Sequence, residues 1–263
     1  MVSLVTLIKK ETLFGVSNST IVNFPTIFFL FIIFSCNKPT SPDAFKTAGK
    51  IVSETRALNS FSEIDLYSNI HLNLIKDTVE FAVIKAGKNL LPKINSNVSS
   101  NILTLKNTNT FNFLRSYRDS IIVDLHYISL KHLKYYGAGN ITTIDTLRED
   151  EFLFESWYGS GHSDFKIRTN VSSFGFHTGI VDATVSGISN ENRLYATEQG
   201  IINCKKLSTK KTFCHNRGVA SLYINTSDEI GAEIYGEGNI YYSGNAKTNY
   251  LKTTSTGNLI YQK

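Results

Sequence analysis

The sequence predicts an all-β fold, a parallel right-handed β-helix or solenoid with coils of about twenty residues. Three observations predict it. A glycine phrase recurs along the second half of the chain as GAGNI at 137, GSGHSDF at 159, TGIVDATV from Thr178, QGIINCKKL from Gln199, RGVASLYI from Arg217, GEGNIYY at 236 and TGNLIYQK from Thr256. Its key glycines, Gly139, Gly161, Gly179, Gly200, Gly218, Gly238 and Gly257, are spaced 22, 18, 21, 18, 20 and 19 residues apart. Behind each glycine the second and fourth residues face one way, as in Ile141 and Thr143, Val181 and Ala183, or Ile240 and Tyr242, which is the alternation of a half-buried strand. Between the glycines stand Thr, Ser, Asn, Tyr and Ile with no i, i+3, i+4 stripe, so helix is disfavoured.

Each element follows from energetics. One coil buries two or three apolar side chains at about 2 kcal/mol each, against about 1.5 kcal/mol of ordering for every residue. No coil can fold alone. Neighbouring coils must share backbone ladders about 4.8 Å apart, and glycine lets the chain turn its corner and lets successive backbones approach closely. Parallel strands joined by crossovers are right-handed by default. The alternative is a meandering sandwich or barrel with glycines at hairpins; the Asn-Gly and Asp-Gly pairs that mark such hairpins are lacking.

The chain has 263 residues, 41% hydrophobic and 12% aromatic, enough for a sizeable core. Its net charge is +5, with Lys and Arg scattered among Asp and Glu, so no nucleic-acid partner is expected. At the N-terminus Lys9 and Lys10 precede an apolar stretch, Ile21 to Phe34, densest in TIFFLFIIF and followed at once by Ser35, Cys36 and hydrophilic NKPTSPD. That is the outline of a signal sequence. Ile33, Ser35 and Cys36 resemble a bacterial lipobox, which implies cleavage before Cys36, lipid attachment on it and a mature charge of +4. An uncleaved membrane anchor is the alternative, although the uninterrupted apolar run falls short of the roughly 20 residues a spanning helix needs. The expected organisation is a signal peptide over 1–35, a polar tether over 36–51, and a head over 52–263 divided into strands 52–130 and glycine-marked coils 131–263. Cys204 and Cys214 are read as separate core thiols, with a disulfide the lesser alternative.

From Val52 to Tyr261 the chain resembles the head-GIN domain family, the autotransporter-adhesin head of bacterial outer-surface lipoproteins. The resemblance begins in RALNSFSEIDLYSNIHLNLIKD, with Phe61, Ile64, Leu66, Ile70, Leu72 and Leu74. It continues through GKNLLPKINSNVSSNILTLKN and IIVDLHYISLKHLKYYGAGNI to the Gly-x-Gly phrases, of which GEGNIYYSGNAK is the most characteristic. The coils at FHTGIVDATV, QGIIN and RGVAS depart from the pattern in lacking the first glycine. The resemblance implies a β-helical fold and an extracytoplasmic, outer-membrane-anchored location, and it carries no catalytic motif.

Chemistry is sparse. His162 with Asp164, and His177 with Asp182, are the close His and acid pairs of the repeats, two ligands where a metal site wants three or four, so no metal is expected. No Gly-x-Ser-x-Gly elbow occurs, and the Gly-x-Gly pairs lack the third glycine and helix of a dinucleotide site, so no cofactor is expected. The acidic residues Asp124, Asp145, Glu149, Asp150, Glu151, Glu155 and Asp164 are the nearest thing to a polysaccharide-degrading site; most lie in the corner TIDTLREDEF. An aromatic row stands three residues before the key glycines: Tyr136, Tyr158, Phe176, His215 and Tyr235, broken by Thr197 and Thr254. On stacked coils these form a column that either stiffens the molecule or binds a sugar or a partner protein. Ile180, Ile201 and Val219 hint at a covered outer wall. The expected function is a non-catalytic envelope lipoprotein that binds a glycan or surface protein. A polysaccharide lyase or hydrolase, or a self-associating scaffold, are the alternatives.

Overall fold

The structure, a computed structural model, describes residues 47–109, 120–197 and 199–263. The expected signal segment, Cys36 and most of the tether lie outside the described residues. The described chain is all-β, one sheet of sixteen strands, and its one helical piece is a 3-10 turn, Leu91–Lys93.

The strands stack in layers. Strands β2 (Glu63–Ser68) and β3 (Ile70–Lys76) lie between β6 (Ile102–Asn107) with β7 (Ile121–Tyr127) on one side and β8 (His132–Gly137) with β9 (Ile141–Thr143) on the other. Glu63 pairs with both Ile102 and His132, and Leu72 with both Val123 and Ile141, all in parallel. The long β11 (Glu151–Ala196) pairs parallel to β8 and β9 and to the short β10 (Leu147–Arg148). Beyond it β12 (Ile202–Asn216), β13 (Leu222–Ile234), β14 (Ile240–Ser243), β15 (Lys247–Thr253) and β16 (Leu259–Tyr261) continue in parallel. Antiparallel pairing is confined to the first layer, where β1 (Ile51–Ala57) pairs with β4 (Phe81–Gly87), β4 with β7, and β5 (Ile94–Ser99) with β6. These strands cover an edge that would otherwise present unpaired N–H and C=O groups. Arg56 reaches from β1 to the carbonyls of Leu91, at 2.9 Å, and Ile94, and so pins the cover in place.

One face of the inner strands is filled by aliphatic and aromatic side chains, whereas β15 is exposed along its whole length. Leu66, Leu72, Val123, Leu133, Ile141, Phe154, Phe165, Leu222 and Ile240 are buried in a single core, each worth about 2–3 kcal/mol in removal from water. Leu259 is half-buried and Tyr261 exposed, because β16 is paired on one side only.

The hydrogen-bonded register corrects the glycine alignment at two places. Gly179 lies against Gly159, and Gly200 against Val181, so Gly179 is the first glycine of its phrase and Val181 occupies the second position. Likewise Gly236 lies against Gly218 and Gly238 against Ala220. The aligned second positions are therefore 139, 161, 181, 200, 220, 238 and 257, with intervals of 22, 20, 19, 20, 18 and 19. The coils at FHTGIVDATV and RGVAS lack the second glycine, not the first. Val181 and Ala220 fit at these two second positions, where five other layers have glycine.

At the remaining positions glycine is needed for closeness. A Cβ at Gly139 would sit 1.9 Å from the Ile70 carbonyl oxygen, and one at Gly238 2.0 Å from that of Ala220. Gly139→Ala or Gly238→Ala is expected to destabilise by about 1–3 kcal/mol, read as a lower midpoint in urea unfolding with an unchanged slope.

Cys204 and Cys214 are both free and buried, as separate thiols. Burial pushes the Cys204 thiol up to about 12 and raises that of Cys214 as well. Both are expected to resist a thiol-reactive disulfide reagent at pH 8 in the native protein and to react stoichiometrically in 6 M guanidinium, since the thiolate is the nucleophile.

Asp124 ties the cover to the first layers, accepting from Asn73 on β3 at 2.7 Å and from Lys85 on β4 at 2.6 Å. Burial works to raise its pKa, but the Lys85 and Asn73 hydrogen bonds and the Lys85 charge together lower it. A depressed carboxyl contributes stability above its unfolded pKa, about 3.9, and loses it as pH falls through the lower folded value. Acid unfolding of Asp124→Asn is therefore expected to show a weaker pH dependence below pH 4 than the parent chain.

Candidate ring-lined wall and trough

The layered register sets outward residues into columns. One column runs Tyr67, Tyr136, then Trp157, which follows the paired Ser156 and Tyr135. Tyr67 and Tyr136 stack at 4.7 Å, 7° from parallel. A second column, two residues nearer the N-terminus in each layer, runs Lys134, Glu155, Gly175, Tyr195, His215, Glu233 and Lys252. Rings pass between the two: Trp157 on His177 at 3.8 Å, His177 to Tyr195 at 5.2 Å, Tyr195 to His215 at 5.1 Å and His215 to Tyr235 at 5.1 Å. Arg217 and Lys252 lie over Tyr235, the first 5.7 Å and the second 5.2 Å from its centroid. All of these rings are half-buried, each showing an edge or a face to water.

Of the five ring positions read from the sequence, Tyr136, His215 and Tyr235 belong to this wall. Tyr158 and Phe176 do not. Tyr158 stands off the run, 77% exposed with φ +62°, and Phe176 is fully buried in the core. Two layers carry one extra residue at the corner, with Thr178 Oγ1 accepting from the Tyr158 backbone N–H. Counting back from the glycine therefore lands one residue away from the true members, Trp157 and His177. Tyr195 was missed because Thr197 occupies the counted position, although a ring recurring two residues earlier is visible in the sequence.

The wall is polar between its rings. Glu155 bridges His132 Nε2 at 2.8 Å and His177 Nε2 at 3.2 Å, and Glu63 lies 3.6 Å from His132 Nδ1. His215 Nδ1 meets Glu233 at 3.0 Å, and its Nε2 is buried with no hydrogen-bond partner among the described residues. Beside the rings runs a ladder of alternating charge, Glu191, Lys211, Glu229 and Lys247. Glu229 accepts from Asn249 and Lys211, which lowers its pKa.

Between the rings and this ladder lies a trough of about 530 Å³, within the size range of small-molecule sites. Its walls are Glu155, His177, Arg193, Tyr195, Phe213, His215, Glu233 and Tyr250, and Gly175 and Gly231 form part of its floor.

The other candidates are dispersed. His162 and Asp164 share an exposed side as the alternation requires, but His177 turns to Glu155 while Asp182 accepts from the Ile201 N–H. Among the described residues no group of three or more His, Cys, Asp or Glu side chains is placed to hold a metal. Glu149 is held by Ser129 and the Leu130 N–H, and Glu155 by His132 and His177. Ile180, Ile201 and Val219 are exposed.

A family model described as "Putative auto-transporter adhesin, head GIN domain" matches residues 60–246. The chain belongs to this family. The head-GIN fold is shared with solved structures of low identity. A "putative adhesin" from Bacteroides fragilis is 18% identical with a TM-score of 0.77, covering 82% of this chain and 100% of its own. Another "putative adhesin", from Parabacteroides distasonis, is 17% identical with a TM-score of 0.65, covering 81% and 99%. A "putative lipid binding protein" from the same organism is 16% identical with a TM-score of 0.64, covering 83% and 100%. No curated protein matches the sequence.

Proposed function

We propose that this head-GIN chain is a non-catalytic adhesion module of the cell envelope, built as a right-handed β-solenoid, anchored in the outer membrane by lipid on Cys36, and binding a glycan or surface protein through its ring-lined wall. One observation carries the reading. Rings recur on the outward side of the layers from Tyr67 to Tyr235 although aliphatic and aromatic side chains already fill the inward side. Outward rings add modestly to strand pairing, whereas a water-facing row of them offers a binding surface that is apolar on its faces and polar at its edges. The solenoid reading is supported by the parallel pairing at intervals of 18 to 22 residues along the glycine phrases. Non-catalytic action is supported by two members of the acidic cluster read from the sequence: Glu149 and Glu155 are each occupied by structural hydrogen bonds, to different partners.

The test uses the mature chain coupled to beads and scored for adhesion to immobilised matrix proteins and a glycan array. Tyr136→Ala combined with Trp157→Ala and Tyr235→Ala is expected to abolish adhesion while circular dichroism stays that of the parent; undiminished adhesion by the folded variant removes the wall from the mechanism. Incorporation of a clickable fatty acid, lost in Cys36→Ala, is the expected signature of the anchor.

A further inference from the structure

Two glycines on the wall lack the reason that the corner glycines have. At Gly139, Gly179, Gly200, Gly236 and Gly238 an added Cβ would run into a backbone carbonyl of the layer beneath, at 1.9 to 2.1 Å. At Gly175 it would meet only side-chain atoms, His177 Nε2 at 2.9 Å and Glu155 Cγ at 3.6 Å, and at Gly231 only the Phe213 ring, at 2.7 Å. Neither has a positive φ. Glycine inside a strand is unfavourable by about 0.5–1 kcal/mol, so these two weaken β11 and β13 with no demand from the backbone. What they admit are those neighbours: the His177 imidazole and the Phe213 ring lie where a side chain at Gly175 or Gly231 would stand. Gly175 interrupts the column between Glu155 and Tyr195, and Gly231 interrupts the neighbouring one between Phe213 and Tyr250, which it pairs with directly. Both glycines, with His177 and Phe213 laid over them, line the trough.

We infer that this trough is a binding subsite for an uncharged oligosaccharide, its sugar rings lying on Phe213, Tyr195 and Tyr250 and its hydroxyls reaching Glu233, Arg193 and Asn249. The inference rests on the wall being the adhesive surface and names what one part of it takes. Half-exposed aromatic faces suit the C–H face of a pyranose, and the polar groups around them suit its hydroxyls. Charge disfavours an acidic ligand, because the carboxylates Glu155, Glu229 and Glu233 line the trough, and its lining Arg193 is already engaged by Glu191. An acyl chain would take water from these charged groups and return no hydrogen bond, which is unfavourable.

Trp157 is the single tryptophan of the chain and stacks on His177 at the trough's edge, so its fluorescence reports occupancy. The full mature chain is titrated with cellotriose, maltotriose and N,N′-diacetylchitobiose, with a hexuronate trimer and with phosphatidylcholine vesicles. Saturable change with at least one neutral saccharide is expected, weakened about tenfold or more in Phe213→Ala and in Gly231→Val. Gly231→Val presses on the Phe213 ring and is expected to lower the urea midpoint modestly while native circular dichroism is kept without urea, which separates an altered trough from a lost fold. Tyr158→Ala, outside the trough, is expected to bind as the parent does. Response to none of the neutral saccharides, response only to the vesicles or the hexuronate, or unchanged affinity in folded Gly231→Val overturns the proposal. Bead adhesion that persists while all three saccharides fail would leave the wall standing and remove the saccharide subsite alone.

Discussion

The close passage of one backbone over another at the glycine corners is the constraint on which the molecule depends. Where Gly139 crosses Ile70, or Gly238 crosses Ala220, there is no room for a Cβ between the crossing strand and the carbonyl beneath. With that approach secured, hydrogen-bonded ladders run in register from layer to layer, and a residue's neighbours above and below are found roughly one repeat away. Every column follows from this, inward as well as outward. Inward columns make a continuous core, which no layer could supply for itself. Outward columns make a wall whose composition is set by residues scattered over more than a hundred positions of sequence.

The two ends of the sequence contribute differently to that arrangement. Residues 51–127 build the first layers, and they enter out of order: β6 and β7 lie beneath β2 and β3 although they follow them in the chain. The antiparallel β1, β4 and β5 finish that end, and the hydrogen bonds of Arg56 and Asp124 hold the finish to the layers it covers. From β8 onward the order is simple succession. The outward wall spans both parts, since Tyr67 of the early layer stacks on Tyr136 of the later one.

Most of the fold was legible in the sequence, and the reason is the period of a strand. Aligning Gly179 and Gly218 with the wrong glycine of their phrases displaced those layers by two residues, yet Ala183 and Leu222 were still assigned inward, and both are buried. A slip of two preserves the face; a slip of one reverses it. The ring column failed for that same reason, because the extra corner residue marked by Tyr158 shifts the count by one in its layer. Trp157 and Tyr158, or Phe176 and His177, are indistinguishable by composition, and only the corner's backbone decides which faces water.

The sequence by itself determined the all-β class, the repeat interval, the inward residues, the buried thiols and the family resemblance, because these depend on local periodicity and on glycine's lack of a side chain. Tertiary structure alone decided which rings meet, that Glu155 joins His132 to His177, and that Gly175 and Gly231 make room for His177 and Phe213 instead of turning the chain. Those are relations between adjacent layers. A single inserted residue at a corner redirects every side chain before the next glycine, and periodicity averages such insertions away.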